Sequence, residues 1–183
     1  AMQHADTAEN NVAIGYGAMY DQNVGGVGNA ADSDGNVAIG SLAMSGAWAD
    51  AKSENNVAIG KGVMAGALSG ANQNVVLGSG AMPASTSASN NVVIGANSGQ
   101  SMTNNGYNVV IGSASFQAAA NDENRNVVIG YGAGAGIVAT ASDSNVIIGM
   151  EAGTGGGAIM QDCIIMGDNA FTDTAATAQY GAV

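Results

Sequence analysis

Positive charge is nearly absent from this 183-residue chain: three Lys and Arg residues stand against 14 Asp and Glu, for a net charge of −11. Three cations cannot neutralise a row of phosphates, so no nucleic-acid partner is expected. An anionic membrane surface would repel the chain for the same reason. There is one cysteine, Cys163, which excludes an intramolecular disulfide framework and a multi-cysteine zinc site. Two Phe, one Trp and five Tyr are too few for an aromatic-rich globular core. Leu, Ile, Val and Phe together number 34, under a fifth of the chain; with this net charge, such a composition leans toward disorder. No run approaches the roughly 18 apolar residues of a membrane span, so no membrane insertion is expected. No basic segment followed by an apolar one opens the chain as a secretory signal would. Residues 1–9, beginning Ala1-Met2, read as an N-terminal tail or tag remnant, and the whole as a fragment of something longer.

Repetition overturns the leaning toward disorder. One phrase recurs as NVAIG (11–15, 36–40, 56–60), NVVLG (74–78), NVVIG (91–95, 108–112, 126–130) and NVIIG (145–149), with a degraded ninth copy expected at DCIIM (162–166). The three central columns of these copies hold 23 of the chain's 32 Val, Ile and Leu residues. Scarce aliphatic side chains are thus concentrated in register, which a disordered chain does not do. Each phrase is β-branched and, in eight copies, followed by Gly, so each predicts a short strand. Parallel stacking of nine strands about 4.8 Å apart gives a rod roughly 40 Å long. The predicted fold is all-β: a parallel β-solenoid or β-roll of about nine coils over residues 10–170, with a C-terminal segment at 171–183.

Two columns read as corner chemistry. Asn11, Asn36, Asn56, Asn74, Asn91, Asn108, Asn126 and Asn145, then Asp162, can form an amide ladder along the rod. Gly15, Gly40, Gly60, Gly78, Gly95, Gly112, Gly130 and Gly149 suit a corner where a Cβ would clash. A second pattern follows each Gly: a small residue (Ala18, Ala43, Val63, Ala81 and their equivalents), then Met19, Met44, Met64, Met82, Gly99, Phe116, Gly134 and Gly153. It predicts a weaker strand or turn closing the coil, with Met as core filler.

Strand alternation puts Val12 and Ile14 on one face and Ala13 on the other. The larger pair is expected in the core. The middle column then faces out, yet it reads Ala, Ala, Ala, Val, Val, Val, Val, Ile, Ile and is never polar. A strand apolar on both faces is covered on both. No amphipathic helix is available, so a copy of the same chain is the expected cover. The growth in size along the column suggests chains that diverge, or packing that changes, along the rod.

The phrases NNVAIGYGAM, NNVVIGANSG and NVVIGYGAG resemble repeats in the shafts and heads of bacteriophage tail fibres, and are similar to the NSVAIG repeats of trimeric autotransporter adhesin heads. The resemblance spans about residues 10–170. It implies a homotrimer of parallel β-rolls, extracellular, displayed on a virion or a bacterial surface and used for attachment to a host glycan or outer-membrane protein. The adhesin repeat is shorter, and the longer segments between phrases and the AG and AM endings here sit closer to the phage fibres. A bacterial adhesin head is the alternative within that class.

Other solenoids fit less well. A hexapeptide helix would place aliphatics at positions 100 and 106 counting from Ile94, where Gln100 and Gly106 stand. Calcium-binding nonapeptide rolls need tandem GGxGxD phrases, which are absent, as are TxT ladders.

Few residues suggest chemistry, and no enzyme activity is expected. A Ser-His-Asp arrangement would have to use the single His4. Gly130-Tyr131-Gly132-Ala133-Gly134-Ala135-Gly136 lacks the following helix and acidic residue of a dinucleotide loop, and Gly60-Lys61-Gly62 lacks the Ser or Thr of a phosphate loop. Paired carboxylates at Asp32/Asp34 and Asp122/Glu123 keep a solenoid polysaccharide hydrolase as the alternative outside the binding class. Asp32-Ser33-Asp34-Gly35 is also an incomplete echo of a calcium loop, the one cofactor the sequence suggests. Cys163 reads as a buried thiol in the first core position of the ninth copy. For receptor contact, the two longest insertions (20–35 and 45–55) stand out, since loops on a rigid scaffold carry recognition. The second holds the sole Trp, Trp48, near Asp50, a pair able to stack on and hydrogen-bond a sugar. Most acids fall between phrases and are expected on the outside of the rod, opposing lateral aggregation.

Overall fold

A computed structural model of the chain describes residues 9–20, 33–48, 51–119, 122–137, 142–155, 159–172 and 178–182. Among them the phrases form nine parallel strands: β1 (Val12–Ile14), β2 (Val37–Ile39), β3 (Val57–Ile59), β4 (Val75–Leu77), β5 (Val92–Ile94), β6 (Val109–Ile111), β7 (Val127–Ile129), β8 (Val146–Ile148) and β9 (Ile159–Met166). A tenth, β10 (Ala178–Ala182), adds to β9, so the sheet continues past residue 170. The strands lie in strict sequence order in one ten-stranded sheet. Pairing is phrase on phrase, as in Val92↔Val109, Val93↔Val110 and Ile94↔Ile111. The fold is therefore a parallel β-solenoid. It has about seven turns, fewer than the nine coils expected, because nine phrases bound only eight intervals and the longest of these runs through residues 21–32, outside the described residues.

The ninth strand corrects the expected register by one residue. Val146, Ile147 and Ile148 pair with Ile164, Ile165 and Met166. The last copy is thus Cys163-Ile164-Ile165-Met166-Gly167, with Cys163, not Asp162, in the Asn column. The Cys163 amide donates to Asn145 Oδ1 at 3.0 Å, the bond each preceding Asn makes.

The expected facing of the strands is inverted. The middle residues are the buried ones: Ala38, Ala58, Val76, Val93, Val110, Val128, Ile147 and Ile165 are all at 0% exposure. Their neighbours on either side are half-exposed or exposed, from Val12 and Ile14 to Ile164 and Met166. The reason is parity. The Asn column is buried, and a residue two further on shares its face. Asn91 and Val93 point in; Val92 and Ile94 point out.

The Asn side chains tie the coils from inside. Asn91 Nδ2 donates back to Asn74 Oδ1 (3.0 Å) and forward to the Asn105 carbonyl (2.8 Å), while its own Oδ1 accepts from the backbone N–H (2.9 Å) and Nδ2 (3.1 Å) of Asn108. The same set recurs at Asn56, Asn74, Asn108 and Asn126, and at Asn145 without the last bond, because Cys163 offers Oδ1 only its backbone N–H. Buried amide groups are thereby satisfied at every level.

The second pattern is a turn, not a strand, and its Met column is core as expected: Met19, Met44, Met64 and Met82 are fully buried. All four have left-handed backbones, φ 46–49°, as does Phe116 at 50°. This column answers part of the size gradient from inside a single chain. Six residues separate the middle strand residue from its partner in the turn. Small middle residues go with large partners, as in Ala38 with Met44 and Ala58 with Met64. Larger ones go with Gly in three coils, Val93 with Gly99, Val128 with Gly134 and Ile147 with Gly153, whereas Val76 keeps Met82 and Val110 is paired with Phe116. A Cβ on Gly153 would lie 3.1 Å from Ile147 Cγ2, and one on Gly134 3.2 Å from Val128 Cγ1. At these two coils the glycine leaves the room that the larger middle residue takes. Ile147→Ala should therefore cost roughly 3 kcal/mol in chemical unfolding. Adding Gly153→Met, which installs the pair used at the other end of the rod, should recover more than half of that loss.

Candidate functional site

The outward strand residues form the most extended surface feature. Val12/Ile14, Val37/Ile39, Val57/Ile59, Val75/Leu77, Val92/Ile94, Val109/Ile111, Val127/Ile129, Val146/Ile148 and Ile164/Met166 make two parallel aliphatic ladders with no polar interruption. This outer face is more uniform than the interior, where the middle residue changes from Ala to Ile. It carries no charge, although the chain bears −11. Contiguous apolar patches of this kind mark interaction sites.

Trp48 lies inside the coil. Its ring is buried, 1% exposed, and Nε1–H donates to the Met44 carbonyl at 3.3 Å. It fills the core inside the coil, so its face cannot stack on a sugar; Asp50 lies outside the described residues. Long insertion and lone Trp together suggested an exposed platform, but an indole this size is the cheapest way to fill a wide coil of small residues.

Asp34 has a structural partner. It accepts from the backbone N–H of Glu9, one rung of a second ladder that the sequence reading missed. In this ladder a side-chain oxygen two residues before the Asn column caps the preceding coil's N–H. Asn72 serves Glu54 (2.7 Å), Ser89 serves Asn72 (3.1 Å), Asn124 serves Gly106 (2.7 Å) and Asp143 serves Asn124 (2.6 Å). The signal was legible as a polar residue at a fixed offset. Asp32, its proposed companion for calcium, lies outside the described residues, as does His4. Among the described residues no group of three or more His, Cys, Asp or Glu is placed to hold a metal ion.

Asp122 and Glu123 do not face a common cleft. Asp122 is exposed and accepts from Asn104 Nδ2 at 3.1 Å. Glu123 points into the coil at 0% exposure, where Oε2 accepts from Asn105 Nδ2 at 2.7 Å. It stands in an inner column shared with Ser33, Ser53 and Ser142 and is the exception to the expectation that the acids decorate the outside. Cys163 is buried, as expected, with Sγ 3.3 Å from the Gln161 carbonyl.

A left-handed corner precedes each Asn: Asn10, Gly35, Asn55, Gln73, Asn90, Tyr107, Arg125, Ser144 and Asp162. Tyr107 and Arg125, on consecutive coils, are both exposed, and neither was singled out from the sequence. Arg125 Nη2 pairs with Asp143 Oδ2 at 3.1 Å and Nε donates to Ser144 Oγ at 3.3 Å. Among the described residues no helix is long and apolar enough to cross a membrane. Comparison with protein-family models, with curated proteins and with solved structures finds no match for this chain.

Proposed function

We propose that this chain is a rigid, self-associating segment of an extracellular attachment fibre, of the phage tail-fibre kind, in which three copies pack side by side along their aliphatic ladders and present surface residues to a host-cell glycan or protein. The observation that carries this reading is the uniform, uncharged outer face of the sheet. A face met by water has no reason to stay apolar through nine successive rows, seven of them with the same Val and Ile pair. A globular partner, lacking a repeat of its own, would need a few apolar anchors and not a ladder. A surface with the same strand spacing, repeated over the same length, is offered by another copy of this solenoid. The number three comes from the resemblance of the phrases to trimeric fibre repeats. The role of the rod is mechanical: hydrogen bonds on every side of each coil and few long side chains make a stiff spacer. Among the described residues, nothing in the placement of the carboxylates supports hydrolysis over attachment.

The expected solution mass is three times the 17.7 kDa of one chain at micromolar concentration, by light scattering or sedimentation. Ile94→Asp with Ile111→Asp should give a folded single chain, because both side chains are more than a third exposed already and a charge in an apolar interface is left unpaired. A wild-type mass of one chain would overturn the assembly.

A further inference from the structure

The left-handed column is filled at seven of its nine positions by Asn, Gly, Gln, Ser or Asp. These include the residues best suited to a positive φ. Tyr107 and Arg125 are the exceptions, at φ 60° and 59°. The buried Met and Phe116 side chains elsewhere also adopt left-handed backbones, but they fill the core and are held there by packing. Tyr107 and Arg125 project into solvent and gain no such burial. Leu42 and Glu151 are also exposed at φ 58° and 53° elsewhere. What singles out Tyr107 and Arg125 is that two bulky exposed side chains stand side by side on consecutive coils, in a column otherwise filled by turn residues.

We propose that Tyr107, Arg125 and Asp143 form a binding platform for a neutral saccharide, the receptor contact of the attachment reading on which this inference rests. The corner holds the two backbones on consecutive coils, about 4.8 Å apart: Tyr107 N–H bonds the Ser89 carbonyl and Arg125 N–H the Gly106 carbonyl, both at 3.1 Å. An exposed phenol ring offers a flat apolar face to the C–H face of a pyranose, with a hydroxyl at its tip. The guanidinium is held by Asp143 and Ser144 and is still 63% exposed, so it keeps free donors in a fixed plane. Asp143 supplies acceptor capacity beside it. Sugar hydroxyls donate and accept at once, and an oriented Arg–Asp pair answers both needs. A neutral sugar is favoured over an acidic one because the guanidinium charge is already offset by Asp143 and the chain as a whole is strongly anionic.

The test compares the wild-type chain with Tyr107→Asn and Arg125→Asn on an array of neutral hexose and N-acetylhexosamine oligosaccharides, with uronic-acid and sialic-acid glycans as comparators. Asn is the column's commonest residue, so both variants should fold and melt about 2 °C or more higher. Each should lose at least tenfold in binding to the neutral glycans that the wild type recognises. Higher melting with binding kept within twofold would discard this platform and leave attachment through another site. Wild-type binding to acidic glycans alone would reject the neutral-sugar assignment. Absence of wild-type binding to any glycan would remove both the platform and the glycan-attachment reading.

Discussion

Gly60→Ala is expected to destroy the fold, or to lower its stability by more than about 4 kcal/mol, while Gly62→Ala two residues away costs about 1 kcal/mol. Gly60 has φ +142°, a region closed to L side chains, and a Cβ there would stand 2.6 Å from the Gly78 carbonyl oxygen and 2.7 Å from its carbon. Neither can retreat. The Gly60 amide bonds the Ile39 carbonyl at 2.8 Å and the Gly78 amide bonds the Ile59 carbonyl at 2.9 Å, so parting the coils would break the ladder on both sides. Contacts this short with backbone atoms place the substitution among the exceptional losses. Gly62 has φ +61° and nothing within 4 Å of an added Cβ. Its cost is only the left-handed penalty of an L residue, and Leu42 and Ala114 already occupy its column in other coils at φ 58° and 56°. Urea midpoints of the two variants, read with circular dichroism, should separate widely; equal midpoints would show that the close approach of coils at the Gly column does not limit the fold.

Asn91→Leu should cost about 3–4 kcal/mol although the side chain keeps its branching and number of heavy atoms and gains hydrophobicity. The amide makes bonds to Asn74 Oδ1 and the Asn105 carbonyl, and accepts two from Asn108. Some of the partners keep another bond: Asn74 Oδ1 still accepts from the residue-91 amide, and the Asn105 carbonyl from the Ser89 amide at 3.2 Å. The Asn108 backbone N–H loses the Asn91 oxygen and remains inside the coil. An orphaned buried donor costs roughly 1–3 kcal/mol beyond the net worth of the bonds removed. Val93→Leu, at the neighbouring inward position, is the comparison: it tests added bulk without loss of a hydrogen bond. If Asn91→Leu proved neutral, the ladder would be ornament, and apolar packing alone would hold the coils in register. Hydrogen exchange should show the same order, with the residue-108 amide losing the most protection.

Much of this fold was legible because the chain repeats. A phrase that returns every 17 to 25 residues with its aliphatic residues in the same columns has few ways to bury them other than by stacking. The Gly column could be read the same way, since a residue without Cβ at the end of every strand implies a place where a Cβ does not fit. Trp48 was misplaced for the opposite reason: it occurs once, so no column constrains it, and only the dimensions of the coil show that the core needs it. Tyr107 and Arg125 were passed over because a left-handed backbone leaves no mark on a single residue. It shows in the sequence only as the company of Asn, Gly and Ser along a column, and that column lay outside the phrase.

The sequence by itself determined the class of fold, the strand positions and the amide ladder, all of which follow from spacing. The tertiary structure decided which face of each strand is inside. Alternation divides a strand into two faces, but both faces of this one are apolar, so hydrophobicity alone cannot rank them. The decision is made by the narrow bore of the coil. It admits one side chain per strand against the Met, Phe or Gly of the closing turn, and it needs the Asn amide on that same side to satisfy buried backbone groups. Those two demands send the middle residue inward, whatever its size, and leave its two aliphatic neighbours outside. The surface proposed to join one chain to the next is therefore made of the residues that looked most like a core.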